Sequence, residues 1–217
     1  MISVCLSTRG RAKDFKEMCQ SMLATASKPE AVEFVSYHDD DDTTIYEYMG
    51  NHKEVFGKRV GPPGTNECYK IATGPIYMFT ADDIRFESHG WDKAIEDAFE
   101  QIKDKIALVH FNDHNPKNRN FGYIGCLHKN WIDSVGYFIK PDIIRRSDRW
   151  INELARGINR SIYLEDVFFR HLDIRDDDTH QVYIKRCIET KHDEYYNSQR
   201  PRLLKDINKL YENITKL

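Results

Sequence analysis

The chain has 217 residues, 40% of them hydrophobic and 31% charged, and a formal net charge of −3. Such a chain can bury a core, while its charge and the lack of a long basic stripe exclude a general nucleic-acid-binding protein. Five scattered cysteines with no Cys-x-x-Cys pair exclude a disulfide framework or a zinc knuckle. No apolar run approaches the roughly 20 residues of a membrane helix, and no signal-peptide pattern is present. We therefore expect a single cytoplasmic domain.

The first hundred residues alternate between strand and helix patterns. Residues 2–6 form an apolar strand pattern, and the spacing of the next apolar residues predicts an amphipathic helix through Phe15, Met18, Cys19, Met22 and Leu23. Further strands are predicted over 32–37, 55–60 and 75–79, and further helices over 45–49 and 65–72. This alternation predicts an α/β fold, with a mostly parallel sheet and helices on both faces.

The most informative stretch is the end of the predicted strand over 75–79, which leads to Asp82 and Asp83. A carboxylate at the end of a buried strand costs roughly several kcal/mol unless it is paired, hydrogen-bonded or bound to a metal. Open α/β sheets bind ligands at the carboxyl ends of their strands, and a divalent cation that bridges to phosphate suits bare oxygen ligands. The alternative is a solvated Asp-Asp turn.

Two other predicted strands also end in polar residues. The segment from Thr8 to Arg11 follows the first strand, and the acidic run from Asp39 to Asp42 follows the second. Right-handed crossovers bring the carboxyl ends of parallel strands to one edge of a sheet. We therefore expect these groups to converge with Asp82 and Asp83 in one site.

The second half of the chain is less regular. Helices are predicted over 91–102, 129–134, 148–155 and 164–172, strands over 106–111, 123–127 and 182–188, and an amphipathic C-terminal helix over 203–214. A long polar loop spans 112–120. Glu165 and Asp166 would open the helix over 164–172, where acidic residues suit the helix dipole.

Four segments, in their order along the chain, carry a resemblance to a known family. They are Met1–Arg11 (MISVCLSTRGR), Val35–Thr44 (VSYHDDDDTT), Gly74–Asp83 (GPIYMFTADD) and Leu164–Leu172 (LEDVFFRHL). Together they resemble the GT-A glycosyltransferases, in particular the family 2-like inverting enzymes. The resemblance covers roughly residues 2–192 and implies a Rossmann-like sheet in a single domain over 1–217. It implies a nucleotide-sugar-binding half over 1–105, an acceptor and catalytic half over 106–192 and a helical tail over 193–217.

The resemblance also implies roles for individual residues. The nucleotide-sugar donor would be held by Ser7, Thr8, Arg9, Arg11, Asp39, Asp40, Asn66, Asp82 and Asp83. Asp166 would be the general base with Glu165 beside it, and Asp82 and His192 would hold Mn²⁺ (or Mg²⁺). His171 and His180 are alternatives to His192. The first Asp of the family's Asp-x-Asp motif aligns with Thr80, so the metal motif is degenerate.

The resemblance implies transfer of a single sugar from a nucleotide-diphosphate sugar, a UDP-sugar in the first instance, to a glycan or another hydroxyl acceptor. No Gln-x-x-Arg-Trp, the signature of processive synthases, is present. Three alternatives stay open: a nucleotidyltransferase, a metal-dependent nuclease or phosphatase, and a binding protein of the same fold without turnover. A nucleotidyltransferase would have a glycine-rich loop after its first strand, and this chain has only one glycine there. The lack of a basic groove argues against a nuclease. Thr80 keeps the third open.

Overall fold

The computed structural model describes residues 1–172, 185, 188 and 191–215. Eight strands form one sheet: β1 (Ile2–Thr8), β2 (Val32–Asp39), β3 (Asn51–Gly57), β4 (Ile76–Phe79), β5 (Ile84–Phe86), β6 (Leu108–Asn112), β7 (Gly125–His128) and β8 (Ser161–His171). Their order is β3-β2-β1-β4-β7-β6-β8-β5. The β3-β2, β2-β1, β1-β4 and β6-β8 pairs are parallel, while β7 and β5 run antiparallel to their neighbours. The predicted mostly parallel sheet is confirmed.

Helices cover both faces of the sheet. They are α1 (Ala12–Thr25), α2 (Thr65–Ile71), α3 (Trp91–Glu100), α4 (Lys129–Val135), α5 (Ser147–Gly157), α6 (His192–Ser198) and α7 (Arg200–Thr215). The buried apolar residues of α1 and α3 form one core cluster with one face of β1. Those of α2, α4, α5 and α7 form a second cluster on the opposite face. The predicted two-faced α/β arrangement is therefore confirmed.

The β1 strand shows why the sheet is buried on both sides. Val4 and Leu6 belong to the first core cluster, whereas Cys5 between them belongs to the second. Successive side chains of a strand point to opposite faces, so a continuous apolar run fits only a strand with a helix on each side. The same logic applies to β4, where Met78 joins the first cluster and Tyr77 and Phe79 the second.

Two local predictions in the first half were wrong. Residues 45–49 form no helix. The rings of Tyr46 and Tyr48 both lie against Phe15, with ring centroids 5.6 and 6.2 Å from that of Phe15. Side chains two positions apart point to the same face when the backbone is extended, so this segment is extended and not helical. The third strand spans Asn51–Gly57 and not 55–60.

The helix predicted over 164–172 was also wrong, because residues 164–171 belong to β8. The segment is rich in aromatic and β-branched residues and pairs with both β6 and β5, so sheet packing prevails over its helical spacing. Its register with β6 jumps from Leu164 to Phe168, which leaves Glu165 and Asp166 in a bulge. The strand predicted over 182–188 falls outside the described residues, apart from positions 185 and 188.

In the part of the chain that the structure describes, none of the helices has the length and apolar character that a membrane span requires.

Candidate functional site

A cavity of about 400 Å³ lies at the carboxyl ends of β1, β2 and β4. This volume is in the range of small-molecule sites. The cavity is lined by Ser7, Thr8, Arg9, Arg11, Asp39, Arg59, Val60, Gly61, Pro62, Thr65, Phe79, Thr80, Ala81, Asp82, Tyr123, Ile139, Ile144, Arg146, Ser147 and Asp148. The sheet therefore brings six of the predicted donor-binding residues to one cavity: Ser7, Thr8, Arg9, Arg11, Asp39 and Asp82.

Asp82 follows β4 and is bound by two side chains, one at the end of β1 and one just after it. Thr8 Oγ1 donates a hydrogen bond to Asp82 Oδ2 at 2.6 Å, and Arg11 Nη1 donates to Asp82 Oδ1 at 3.1 Å. Asp82 is 4% exposed, and this burial raises its pKa although both hydrogen bonds act in the opposite direction. Each carboxylate oxygen therefore has a donor, and the Arg11 guanidinium balances the charge.

Asp83 is buried but is not one of the residues that line the cavity. Its Oδ2 lies 3.4 Å from His171 Nε2 and 4.0 Å from Arg11 Nη1, while its Oδ1 has no hydrogen-bond partner among the described residues. Burial acts to raise the pKa of Asp83, but the hydrogen bond and charge of His171 outweigh it, so that the pKa is lowered. Leu172 N donates to Asp83 O at 2.8 Å. Asp83 therefore joins the turn between β4 and β5 to the end of β8.

Asp39, at the end of β2, lies between two arginines of the cavity wall. Arg9 Nη1 donates to Asp39 Oδ2 at 3.2 Å, and Arg59 Nε lies 3.8 Å from the same oxygen. Arg9 also forms a two-point ion pair with the exposed Asp41. Burial raises the pKa of Asp39 against the opposing effect of Arg9 and Arg59. This corner of the cavity offers a carboxylate acceptor for hydroxyl or N–H groups, next to two guanidinium donors.

The cavity contains a carboxylate that sequence reasoning did not assign to the site. Asp148 lies in the first turn of α5 and is half-buried, and this burial raises its pKa. Arg146, just before the helix, has a left-handed backbone with φ 65°, and its Nε lies 3.0 Å from Asp193 Oδ1. An acidic residue at the start of an amphipathic helix was the signal that could have identified Asp148.

Besides Asp83, two other predicted donor-binding residues of the first half lie outside the cavity wall. Asp40 is exposed and follows Asp39 at the end of β2. Asn66, in α2, binds backbone groups of a neighbouring loop: its Nδ2 donates to Ile139 O at 2.7 Å, and its Oδ1 accepts from Phe138 N at 2.9 Å. Asn66 therefore positions the loop that carries Ile139 into the cavity wall.

Glu165 and Asp166 are exposed in the bulge of β8 and are not among the cavity-lining residues. Glu165 Oε2 accepts from Arg119 Nη2 at 2.8 Å, and its backbone oxygen accepts from Asn112 Nδ2 at 2.9 Å. The backbone oxygen of Asp166 accepts from Ser88 Oγ at 2.9 Å. The helix start on which the catalytic role of Asp166 rested is not present, and that role stays a prediction.

His192, the predicted metal ligand, opens α6 and is 4% exposed. Its Nε2 accepts a hydrogen bond from Arg145 N at 3.1 Å. It is not among the residues that line the cavity. His192 thereby supports the backbone just before Arg146. Of the two alternative histidines, His171 contacts Asp83, and His180 lies outside the described residues.

The fold has counterparts among solved structures. TarS 1-349 from S. aureus matches with a TM-score of 0.59 and 14% identity, covering 98% of this chain and 80% of that chain. The mannosyltransferase PcManGT from Pyrobaculum calidifontis, in complex with GDP-Man and Mn²⁺, matches with a TM-score of 0.61 and 12% identity, covering 98% and 73%. This chain has a GT-A glycosyltransferase fold. The predicted fold is thereby confirmed.

In other matches to this glycosyltransferase fold, a smaller share of the matched chain is covered. TarS 1-349 in complex with UDP-GlcNAc matches with a TM-score of 0.58 and 16% identity, covering 77% of this chain and 57% of that chain. The chain spans 36% of the TarS chain in another structure and 59% of TarS 1-349 in complex with UDP. No protein-family model and no curated protein matches the sequence.

The side chains that line the cavity do not fit a binding site for the predicted Mn²⁺ or Mg²⁺. Such ions can use one or two carboxylates and complete their shell with water and phosphate oxygens, so ligand number alone does not decide. The deciding observation is the Arg11 guanidinium on Asp82. Two like unit charges about 4 Å apart repel by about 4 kcal/mol at an effective dielectric constant of about 20, and a dication doubles this repulsion. Among the described residues, no three His, Cys, Asp or Glu side chains are grouped so that they could hold a metal ion.

Proposed function

We propose that this protein is a glycosyltransferase that moves one sugar from a nucleotide-diphosphate sugar to an acceptor hydroxyl, with inversion. The observation that supports the proposal is that one cavity at the sheet edge combines guanidinium groups, the Asp39 carboxylate and the Asp148 carboxylate. Solved structures of the same fold hold UDP, UDP-GlcNAc or GDP-Man. The predicted donor is a UDP-sugar, and the predicted acceptor is a glycan or another hydroxyl compound.

Each group of the cavity has a distinct task in this reaction. Asp39 accepts hydrogen bonds from the nucleoside, and the arginines bind the diphosphate. The acceptor oxygen attacks the anomeric carbon from the face opposite the leaving group, which inverts the configuration. A carboxylate that takes the hydroxyl proton in this step contributes roughly 10²–10⁴-fold in rate.

We assign the proton-accepting role to Asp148. It is inside the cavity, whereas Asp166 is exposed in the β8 bulge and Glu165 is paired with Arg119. Burial raises the pKa of Asp148, and a carboxylate with a raised pKa accepts a proton more readily than one at its ordinary value. The resemblance supports Asp166 and the geometry of the cavity supports Asp148, so the two carboxylates are to be compared directly.

The Mn²⁺ or Mg²⁺ predicted from the sequence enters no step of this scheme. PcManGT was solved with Mn²⁺, but the Arg11–Asp82 pair stands where the degenerate motif of this chain would hold the ion. A binding protein of the same fold is the second candidate, since Thr80 replaces the first acid of that motif. Release of nucleotide from a bound donor separates the two, because only the enzyme turns its ligand over.

Calorimetric titration with UDP, GDP, CDP and dTDP, in buffer containing Mn²⁺, tests the proposal. We expect one nucleotide to bind and the Asp39→Asn variant to weaken its binding about tenfold or more, because hydrogen bonds to a charged acceptor are lost. The matched control is Asp40→Asn, which changes the adjacent exposed carboxylate and should bind like the wild type. Absence of binding for all four nucleotides would refute the proposed function.

A further inference from the structure

The most distinctive group of the cavity is the Arg11 side chain. Arg11 immediately precedes α1, and its side chain is 15% exposed, while that of its partner Asp82 is 5% exposed. Thr8 fixes the other oxygen of the same carboxylate. The Arg11 guanidinium is thus held in the cavity wall at the carboxyl ends of the strands, where open α/β sheets bind their ligands.

Thr80 occupies the place of the first acid in the motif that ends β4. Its hydroxyl lies 3.4 Å from the neighbouring Ala81 O and brings no charge to the cavity. Asp83 does not line the cavity. Only Asp82 of this motif therefore presents a carboxylate to a ligand there, and that carboxylate is already neutralised by Arg11.

Three further arginines line the same cavity, and each is anchored by an acidic side chain. Arg9 and Arg59 are held by Asp39, at 3.2 and 3.8 Å, and Arg146 is held by Asp193 at 3.0 Å. A guanidinium has five N–H donors in a planar fork, so it can bind a carboxylate with one edge and a phosphate with another. The cavity wall thus has four guanidinium groups that ion pairs hold in place.

We infer that these arginines, with Arg11 foremost, supply the positive charge that stabilises the nucleoside diphosphate, and that a divalent cation is not required. The inference rests on the proposed function and concerns the same site. In the transfer, the bond between the anomeric carbon and the phosphate oxygen breaks and its electron pair stays on the diphosphate. The acceptor oxygen forms the new bond and its proton passes to Asp148. The guanidinium groups keep their protons and balance the charge that develops on the leaving group.

Titration of UDP, GDP, CDP and dTDP into the wild-type protein, once in EDTA and once in Mn²⁺, tests the inference without any substitution. We expect the nucleotide that binds to have the same affinity within about twofold in both buffers. The Arg11→Gln variant should bind it roughly ten- to a hundredfold more weakly in EDTA, as expected for the loss of a charged hydrogen bond. Lys13→Gln is the matched control, since it removes one positive charge from α1 at a side chain that is 85% exposed.

The possible outcomes separate the inference from the proposed function. Binding that requires Mn²⁺, or that Mn²⁺ strengthens tenfold or more, would overturn the inference and leave the glycosyltransferase proposal in place. Equal losses in Arg11→Gln and Lys13→Gln would also overturn it. Failure of all four nucleotides to bind in either buffer would overturn the proposed function and the inference with it. If Arg11→Gln does not fold, Arg146→Gln replaces it, because the partner of Arg146 is the part-exposed Asp193.

Discussion

Asp82 and Asp83 are adjacent in the sequence, yet they belong to different parts of the structure. Asp82 lines the cavity and is bonded to Thr8 and Arg11, whereas Asp83 lies 3.4 Å from His171 at the end of β8. The two carboxylates that dominate the sequence pattern therefore have different tasks. Asp82 positions the Arg11 guanidinium in the cavity wall, and Asp83 connects the turn before β5 to the end of β8.

The Asp83→Asn variant separates these tasks. We expect a loss of about 1 kcal/mol in the free energy of unfolding, because the interaction with His171 loses its charge. The affinity for nucleotide should stay within about twofold of the wild type, since Asp83 does not line the cavity. Urea denaturation and calorimetric titration measure the two quantities. A selective loss of nucleotide binding in Asp83→Asn, with unchanged stability, would show that this carboxylate contacts the ligand.

The assignment of the general base is tested by Asp148→Asn and Asp166→Asn. The first variant should lower kcat by roughly 10²–10⁴-fold and keep the nucleotide Kd, because it removes the proton acceptor and leaves the arginines in place. The second should retain wild-type kcat, since Asp166 is exposed outside the cavity. Turnover is followed as nucleotide release from the donor sugar. The reverse pattern would return the role to Asp166.

A buried ion pair anchors the segment that closes the cavity. Lys140 Nζ donates to Asp206 Oδ2 at 2.8 Å, and Tyr137 OH donates to the same oxygen at 2.6 Å, which joins the loop before α5 to α7. Lys140→Met should cost less unfolding free energy than the roughly 3–5 kcal/mol of a fully unpaired buried charge, because Asp206 loses its buried partner but keeps Lys209 Nζ at 3.3 Å. Adding Asp206→Asn removes that charge and keeps an acceptor for Tyr137, so the double variant should be more stable than Lys140→Met alone.

Urea denaturation of the two single variants and the double variant measures this coupling. Strictly additive losses in unfolding free energy would contradict it, because additivity is the behaviour of sites that do not interact.

Glu33 provides a pH-dependent term far from the cavity. This buried side chain of β2 accepts from Ser3 Oγ at 2.6 Å and Thr73 N at 2.8 Å, and it pairs with Lys53 Nζ at 2.6 Å. Burial acts to raise the pKa of Glu33, but these three partners outweigh it and lower the pKa. The folded state therefore binds the proton less readily than the unfolded state. Its stabilising effect is present above the ordinary pKa of 4.5 and is lost as the pH falls through the lowered value.

We expect Glu33→Gln to lower the unfolding free energy by about 1–3 kcal/mol at pH 7. The difference between wild type and variant should shrink as the pH falls from 4.5 through the lowered pKa of Glu33, because Glu33 then becomes neutral in the folded state as well, like the glutamine that replaces it. Denaturation curves at several pH values between about 7 and 3 measure this difference. A difference that is independent of pH would show that the effect of Glu33 is one of shape and not of charge.

The first half of the fold follows from short-range patterns in the sequence. The apolar run of β1, the helical stripe of α1 and the acidic end of β4 are all local, and each was predicted close to its observed bounds. The convergence of Thr8, Arg9 and Asp39 also follows from simple topology, because parallel strands end at one edge. Fold class and the place of the cavity were therefore accessible from the residues alone.

The parts that sequence reasoning missed depend on contacts between distant residues. The spacing of Leu164, Val167 and Phe168 fits a helix, but two partner strands impose the extended form of β8. Asp148 belongs to the cavity only because the loop before α5 folds over the ends of β1 and β4. The Arg11–Asp82 pair joins residues 71 positions apart. None of these contacts leaves a periodic trace in the sequence.

A crystal structure of the wild-type protein with UDP or GDP, grown with Mn²⁺ present, tests the central claim most directly. We expect the nucleoside beside Asp39 and the diphosphate oxygens within hydrogen-bond distance of the Arg11 guanidinium, with no metal bridging them to Asp82. A nucleotide bound elsewhere on the molecule would contradict the assignment of this cavity as the donor site.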